Sequence, residues 1–427
     1  MPVPEYINKI NVRLTKNVIW NLANEIISKA SIVLANVFLA RRLGPESYGI
    51  LILSQAVAMY VRLAVDLGTT MYGIREIGKS KENSQKLINQ LITIRFVLGV
   101  VIYAFYTYII IFIIGSSNTI KLTYLCSGLY LLAYSFNTDW IFKGLEKFRI
   151  LSYGGAANAI FQVVGIIVFV KKAQDIIIAA LIFSLSYFFS SSIFIYILRK
   201  IGLSFRLSLH WPDLKIHVRE SIEFMIPGLI SAGYQYLPIF LAGKLMTQQV
   251  AGLFLAPFRF VTSMTAPGFY ISMAFYPVLS DTYHNNKILF HKVLQKLHAV
   301  MFCIGVTLGL IGFLFGGRIN MLLFGKQYAG SADVFSILAL ILTVNFLRNG
   351  YVSALRAAGY QLSLIIPYIF ASALLSGLYF FLYQIDMLDS ILYATVIVLT
   401  ESLMLAIFMI TAKMTYDNVA SGLDQAL

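Results

Sequence analysis

The chain is built from long, uninterrupted apolar runs separated by short polar segments. A hydrocarbon core about 30 Å thick needs about 20 helical residues to cross it, and most of the runs reach that length. Because the runs do not alternate between apolar and polar positions, they predict helices rather than strands of a membrane barrel. The predicted spans are 17–40, 49–71, 88–114, 122–141, 151–170 and 176–198, followed by 221–243, 251–279, 298–316, 332–355, 361–383 and 390–411.

These twelve spans predict an all-α polytopic membrane protein with two sets of six helices, divided by the longest inner loop. That loop, 199–220, mixes basic and apolar residues, which suits either a helix on the membrane surface or a solvated linker. The predicted parts are a cytoplasmic segment 1–16, an N-lobe 17–198, a cytoplasmic linker 199–220, a C-lobe 221–411 and a cytoplasmic tail 412–427.

Composition and charge agree with a membrane protein. The chain is 59% hydrophobic and 12% charged, whereas soluble domains carry about 25% charged residues. Of the 33 Lys and Arg residues, 20 fall on one predicted face, 8 on the other and 5 inside spans. Because cytoplasmic loops are enriched in basic residues, both termini are predicted to be cytoplasmic. No basic run interleaved with aromatic residues forms a nucleic-acid surface, so the net charge of +14 reflects the loops.

A faint repeat supports the division into halves. The segment YGILILSQAVAMYV begins at Tyr48, and AGLFLAPFRFVTSM begins at Ala251, each at the start of the second span of its half. Gly49 and Gly252 occupy matching positions in the two segments. Such spacing favours two parallel repeats related by an axis along the membrane normal.

Charged residues inside the spans are the candidate functional residues. The cations are Lys29, Arg62, Arg95, Arg259 and Arg348, and the acids are Glu25, Asp66 and Glu401. A charge at bilayer depth is costly unless it faces protein, water or a partner, so such residues mark a polar path. Since the cations outnumber the acids, the path is predicted to be positive and to suit an anionic cargo.

Each of these charges also has a structural interpretation. Glu25 with Lys29, and Arg62 with Asp66, are spaced i,i+4 and can form ion pairs that lock helix packing. Alternatively, both pairs line a cavity and rearrange during transport.

Two further arginines have no acid one helical turn away. Arg259 and Arg348 therefore either snorkel, pair across helices, or bind phosphate through the planar guanidinium. Arg95 lies about eight residues from the cytoplasmic edge of its span, so it is expected to snorkel.

Enzyme and metal chemistry find little support in the sequence. There is no G-x-x-x-x-G-K-[ST] motif, which argues against ATP-driven transport by this chain alone. The histidines nearest each other are seven residues apart, about 10 Å along a helix, which is too far to share a metal ion. No catalytic or metal-binding residue and no cofactor is therefore predicted. A gradient of H+ or Na+ is a candidate driver, with Glu25, Asp66 and Glu401 as candidate coupling residues or structural pairs.

The opening of the chain carries a recognisable signature. Residues 35–79, ANVFLARRLGPESYGILILSQAVAMYVRLAVDLGTTMYGIREIGK, contain A-R-x-L-G-P-x-x-Y-G, then D-x-G and R-E-I. This pattern resembles the N-terminal signature of the bacterial polysaccharide exporters called Wzx or O-antigen flippases. The segments DWIFKGLEKFRILS, 139–152, and LRAAGYQ, 355–361, are similar to cytoplasmic turns of the same family.

The resemblance implies a member of the multidrug/oligosaccharidyl-lipid/polysaccharide exporter superfamily, with two six-helix lobes around a central cavity. The implied cargo is an undecaprenyl-diphosphate-linked oligosaccharide, flipped across the bacterial inner membrane by alternating access. By this analogy, Lys29, Arg62, Arg259 and Arg348 would attract the diphosphate. The implied partners are membrane lipids and the polymerase and chain-length proteins of the pathway. The alternatives are a cation-coupled multidrug exporter of the same superfamily and, from the enzyme class, a membrane polysaccharide polymerase.

Overall fold

The structure, a computed structural model, describes residues 3–79, 84–113, 115–208, 210–360, 362–387 and 389–420. Side chains are described from residue 30 onward, except at 211, 284, 362 and 415–420. The side chains of Glu25 and Lys29, both predicted site residues, lie outside the described residues.

Within these ranges the regular structure is helical throughout, as predicted. The helices are α1 (Val3–Asp66), α2 (Thr69–Lys79), α3 (Ser84–Tyr108), α4 (Asn118–Ser135), α5 (Asp139–Gly144), α6 (Phe148–Phe169), α7 (Ile176–Lys200), α8 (Trp211–Leu245), α9 (Gln248–Ser263), α10 (Ala266–Asn285), α11 (Lys287–Phe324), α12 (Ala332–Ala357), α13 (Ile365–Gln384) and α14 (Ser390–Ala420).

Nine helices in the described ranges are long and apolar enough to cross a membrane. The first of them, Ala30–Asp66, holds parts of two predicted spans. The other eight coincide with predicted spans 3, 5, 6, 7, 9, 10, 11 and 12, while α4 and the α9–α10 pair occupy the positions of spans 4 and 8. The prediction of an all-α polytopic protein with about twelve spans is thus confirmed.

The first two predicted spans run into one another through a sharp bend in α1. Gly44 has φ 72° and ψ 171°, which interrupts the helix, and Pro45 follows it inside the bend. A positive φ costs little for glycine because it has no Cβ. Proline fits at the start of the next helical segment, where its missing N–H is not needed.

The predicted span 251–279 is divided in the structure into α9 and α10, with the break at Met264–Thr265. Pro267 stands in the first turn of α10. A proline cannot donate a backbone hydrogen bond to the preceding turn, so a helix that meets one ends or bends there. The length of the apolar run alone did not reveal this break.

The chain forms two compact units. The first comprises Met1–Leu43 and Ile50–Leu229, and the second comprises Gly44–Gly49 and Ile230–Leu427. The division falls inside α8 rather than in the 199–220 linker, and the short segment at the bend of α1 belongs to the second unit. The predicted lobe boundaries and the cytoplasmic termini stay predictions.

Within the first unit, part of the 199–220 linker is an extended strap held by a polar row on α3. Gln85, Asn89 and Thr93 are spaced one helical turn apart, and their side-chain oxygens accept the backbone amides of Ser204, Arg206 and Ser208 at 2.9, 3.0 and 2.9 Å. Alternate residues of an extended segment point the same way, so a helix row with four-residue spacing can satisfy every second amide.

In the second unit, α11 and α12 pack closely through a row of glycines. On α11, glycines at 305, 309, 312 and 316 face residues of α12. An added Cβ on Gly305 would lie 2.9 Å from the Cβ of Phe346, and one on Gly316 would overlap the Ser336 side chain. Glycines at this spacing let two membrane helices approach closely.

The two glycines of the faint repeat also meet in this unit. An added Cβ on Gly49 would lie 2.8 Å from the carbonyl oxygen of Gln248 and 3.0 Å from the amide nitrogen of Gly252. A Cβ on Gly252 would overlap the carbonyl of Pro45. Both positions therefore require glycine because backbone meets backbone there.

Candidate functional site

A polar cluster in the first unit is centred on Arg95, whose side chain is completely buried. Its Nη2 donates to the Asp66 Oδ1 at 2.7 Å and to the Thr70 Oγ1 at 2.6 Å. Its Nε donates to the Thr69 Oγ1 at 2.7 Å, and its Nη1 donates to the Asn137 carbonyl at 3.1 Å. The expectation that Arg95 snorkels is therefore wrong, because these acceptors satisfy the guanidinium inside the protein.

The acceptors come from two places where helices break. Leu67 and Gly68 have φ 48° and 77°, which ends α1 and allows α2 to begin at Thr69. Asn137 lies between α4 and α5. A broken helix leaves carbonyls without helical partners, and Arg95 donates to one of these, the Asn137 carbonyl, as well as to three side-chain oxygens near the other break. Arg95 on α3 thus bridges two breaks.

The carboxylate of Asp66 receives three donors on a single oxygen. Besides Arg95, the Thr70 hydroxyl donates to its Oδ1 at 2.6 Å and the Tyr134 hydroxyl at 3.0 Å. The Arg62 guanidinium lies over the Tyr134 ring, 4.6 Å from its centroid. The sequence placed Arg62 and Asp66 on one face of a helix, and the structure adds Arg95 and Tyr134 from two other helices.

A cavity of about 300 Å³ opens beside this cluster. Its charged lining residues are Arg62, Asp66, Asp139 and Lys143, and its other lining residues include Thr70, Tyr134, Phe224, Met225 and Gly228. Since the Asp66 carboxylate is bonded to Arg95, the cavity presents more positive than negative charge.

At the edge of the cavity, the Lys143 ammonium pairs with the Asp139 Oδ2 at 2.7 Å within α5. The Asp139 carboxylate and the Lys143 ammonium offset each other at this distance, so this pair contributes no net charge to the cavity.

The second unit holds a separate polar cluster around Glu401 on α14, which is 7% exposed. Its carboxylate accepts hydrogen bonds from the Tyr234 hydroxyl at 2.8 Å, from the Asn345 Nδ2 at 3.2 Å and from the Arg348 Nη1. The Arg348 Nη2 also donates to the Asn345 Oδ1. Of the sequence alternatives for Arg348, pairing across helices is therefore the arrangement in the structure.

Arg259 lies on α9 in the second unit and is half-buried. It does not take part in the hydrogen bonds described for the Glu401 cluster. Among the described residues, its buried Nε has no hydrogen-bond partner. This donor of the Arg259 guanidinium is therefore not satisfied by the described protein groups.

The structure brings together some predicted site residues. Arg62 and Asp66 line one cavity, and Arg348 and Glu401 form one ion pair. Sequence reasoning missed Tyr134 and Tyr234, because tyrosines are abundant in this chain and no local pattern distinguishes these two. In the part of the chain that the structure describes, no group of three or more His, Cys, Asp or Glu residues comes together to hold a metal ion.

Comparison with known proteins identifies relatives over most of the chain. The model of the family described as "Polysaccharide biosynthesis protein" matches residues 14–283. A putative O-antigen transporter of Shigella flexneri is 24% identical over 95% of this chain and 100% of its own length. A putative O-antigen transporter of Escherichia coli K12 is 22% identical over 81% of this chain and 83% of its own length.

Solved structures share the fold. An inward-facing multidrug resistance transporter of the MATE family, in the MOP superfamily, superposes with a TM-score of 0.71 at 15% identity, covering 95% of this chain and 99% of that one. The lipid II flippase MurJ superposes with a TM-score of 0.69 at 12% identity, covering 94% and 90%. At these identities the likeness establishes the fold alone.

Proposed function

Because the chain belongs to the polysaccharide biosynthesis protein family, we propose that it flips undecaprenyl-diphosphate-linked oligosaccharide repeat units from the cytoplasmic to the outer leaflet. The product would supply O-antigen or capsule synthesis. The naming of its relatives as putative O-antigen transporters and its transporter fold support this proposal. The resemblance identified from residues 35–79 points the same way.

The proposal of an anionic cargo rests on one observation, which is how the charged side chains of the two polar clusters are paired. Asp66 and Glu401 are each bonded to an arginine, and the Lys143 ammonium is paired with Asp139, whereas the Arg62 side chain adds positive charge to the lining of the cavity in the first unit. A diphosphate loses its hydration when it leaves water, and a cationic lining offsets that loss. The cavity volume of about 300 Å³ is many times the roughly 10–15 Å³ that one water molecule needs, so there is room for a diphosphate while the lipid tail stays in the bilayer.

The second candidate is a multidrug exporter, which the superposition on a MATE transporter favours. An exporter of organic cations needs a carboxylate that is available to the drug. In the described residues, the Asp66 and Glu401 carboxylates are engaged by Arg95 and Arg348, so an anionic cargo fits better. The polymerase alternative gains no support from the relatives, which are named as transporters.

The proposed mechanism is alternating access in a bacterial inner membrane, with both termini cytoplasmic. The helix breaks at Gly44, Leu67–Gly68 and Met264–Thr265 are candidate hinges, since hinges are the few residues that absorb a change in φ and ψ. A gradient of H+ or Na+ would drive the cycle. A polymerase and chain-length proteins would receive the product.

The test is a strain lacking this gene. Lipid extraction and leaflet assignment should find complete repeat units on undecaprenyl diphosphate, trapped on the cytoplasmic leaflet. Complementation with Arg62→Ala or Arg259→Ala should restore export poorly at normal protein levels, whereas Arg318→Ala, an exposed arginine on α11, should restore it fully.

If intermediates do not accumulate and the strain becomes sensitive to cationic drugs, the multidrug function replaces this proposal. Full export by both Arg62→Ala and Arg259→Ala would remove these two residues from the binding site.

A further inference from the structure

Arg95 has no counterpart in the matched signature, and the proposed binding residues do not include it. Yet among the described side chains of the first unit it is the most completely buried charge, at 0% exposure, and its guanidinium makes four hydrogen bonds. It also lies 5.3 Å from the Trp140 ring centroid and 5.5 Å from that of Tyr134. Because the Arg95 guanidinium holds this many groups in one geometry, we expect Arg95 to have a specific role.

The group that links Arg95 to the cavity is Asp66. Its side chain is 14% exposed and lines the cavity, while Arg95 approaches it from the buried side. Thr70 and Tyr134 complete the shell around the same Oδ1. A carboxylate at a cavity wall repels an anionic cargo unless a cation offsets its charge, and in a low-dielectric site this repulsion is strong.

We infer that Arg95 is a positioning residue that cancels the charge of Asp66 and fixes the orientation of its carboxylate, so that the cavity accepts an anion. This inference rests on the proposed function, because it assumes a diphosphate cargo. Arg95 acts through Asp66 and does not itself line the cavity. Its role is therefore distinct from that of Arg62, which lines the cavity and would contact the cargo.

The second unit repeats the arrangement with different residues. Glu401 is bonded to Arg348 from another helix and accepts a tyrosine hydroxyl, as Asp66 does. Each of these two membrane acids is therefore covered by an arginine from a neighbouring helix and by one tyrosine. Arg348, which the sequence proposed as a ligand of the cargo, is on this reasoning a second masking residue.

The experiment measures binding of radiolabelled farnesyl diphosphate to the full-length protein in lipid nanodiscs. Arg95→Gln should weaken binding at least about tenfold, which corresponds to about 1.4 kcal/mol. Adding Asp66→Asn to Arg95→Gln should return the affinity to within about threefold of the wild type, because the carboxylate that repels the probe is gone. A purely structural role for Arg95 would weaken the binding of uncharged farnesol as well, whereas loss of charge masking weakens only the binding of the diphosphate.

A second variant keeps the test decisive if Arg95→Gln fails to fold. Asp66→Asn alone preserves an oxygen acceptor for Arg95, so the protein should fold and bind the probe at least as well as the wild type. Loss of binding in Asp66→Asn, or a double variant that folds but binds as poorly as Arg95→Gln, overturns the inference. A wild-type protein that does not bind the probe refutes the diphosphate cargo instead, which separates the two failures.

Discussion

The Arg348–Glu401 pair permits a quantitative prediction. Arg348→Gln removes the cation and leaves the Glu401 carboxylate, 7% exposed, with only the neutral donors of Tyr234 and Asn345. Breaking a buried ion pair by removing one partner costs about 3–5 kcal/mol, since an uncompensated charge stays in the interior. The double variant Arg348→Gln/Glu401→Gln removes that charge and should recover most of the loss.

The assay is thermal unfolding of purified protein in one detergent, followed by tryptophan fluorescence and by size-exclusion chromatography after heating. A loss of 1 kcal/mol lowers the Tm of a unit of this size by about 2–4 °C, so Arg348→Gln should lower it by about 6–20 °C. The control is Arg318→Gln, which changes an exposed arginine on α11 and should leave the Tm unchanged.

The comparison of the Tm of Arg348→Gln with the Tm of the double variant tests this reasoning. If the double variant is no more stable than Arg348→Gln, the uncompensated carboxylate is not the source of the loss, and the reasoning fails. Export measured on the same variants separates the roles of Arg348. Normal export by the double variant would make Arg348 a structural residue, whereas lost export at normal stability would return it to the binding site.

Two further predictions concern packing and the strap. Gly316→Ala should destabilise the second unit by about 1–3 kcal/mol, because the added Cβ would overlap the Ser336 side chain. Gly377→Ala on α13 is the control and should not destabilise the unit, because nothing lies within 4 Å of its added Cβ. Equal Tm values for the two variants would contradict this prediction. Asn89→Ala should speed protease cleavage within residues 203–208 severalfold, because the amide of Arg206 loses its acceptor and the strap opens more often. The exposed Gln384→Ala is the control, and unchanged cleavage in Asn89→Ala would show that the strap is held by other contacts.

The sequence predicted the helical fold because twenty-residue apolar runs have only one stable form in a bilayer. The interruption between the first two spans was also predicted, since no span covers residues 41–48, and the structure places the bend there at Gly44 and Pro45. The break between α9 and α10 was not, because proline in a membrane helix sometimes bends it and sometimes ends it. Whether the helix bends or ends depends on whether neighbouring helices supply hydrogen-bond partners for the backbone groups that the proline leaves unpaired.

For the candidate site, the sequence determined which charges enter the membrane, and the tertiary structure decided which of them meet. Sequence spacing relates residues on one helix, so Arg62 and Asp66 were placed together correctly. It gives no information about residues on different helices, so the bonds from Arg95 to Asp66 and from Arg348 to Glu401 appeared only in the folded chain. Because of these contacts, two of the membrane acids are paired with arginines, and Arg62 adds positive charge to the lining of the cavity in the first unit. The physical reason is that the sign of a cavity depends on how charges pair in three dimensions, while composition counts them all alike.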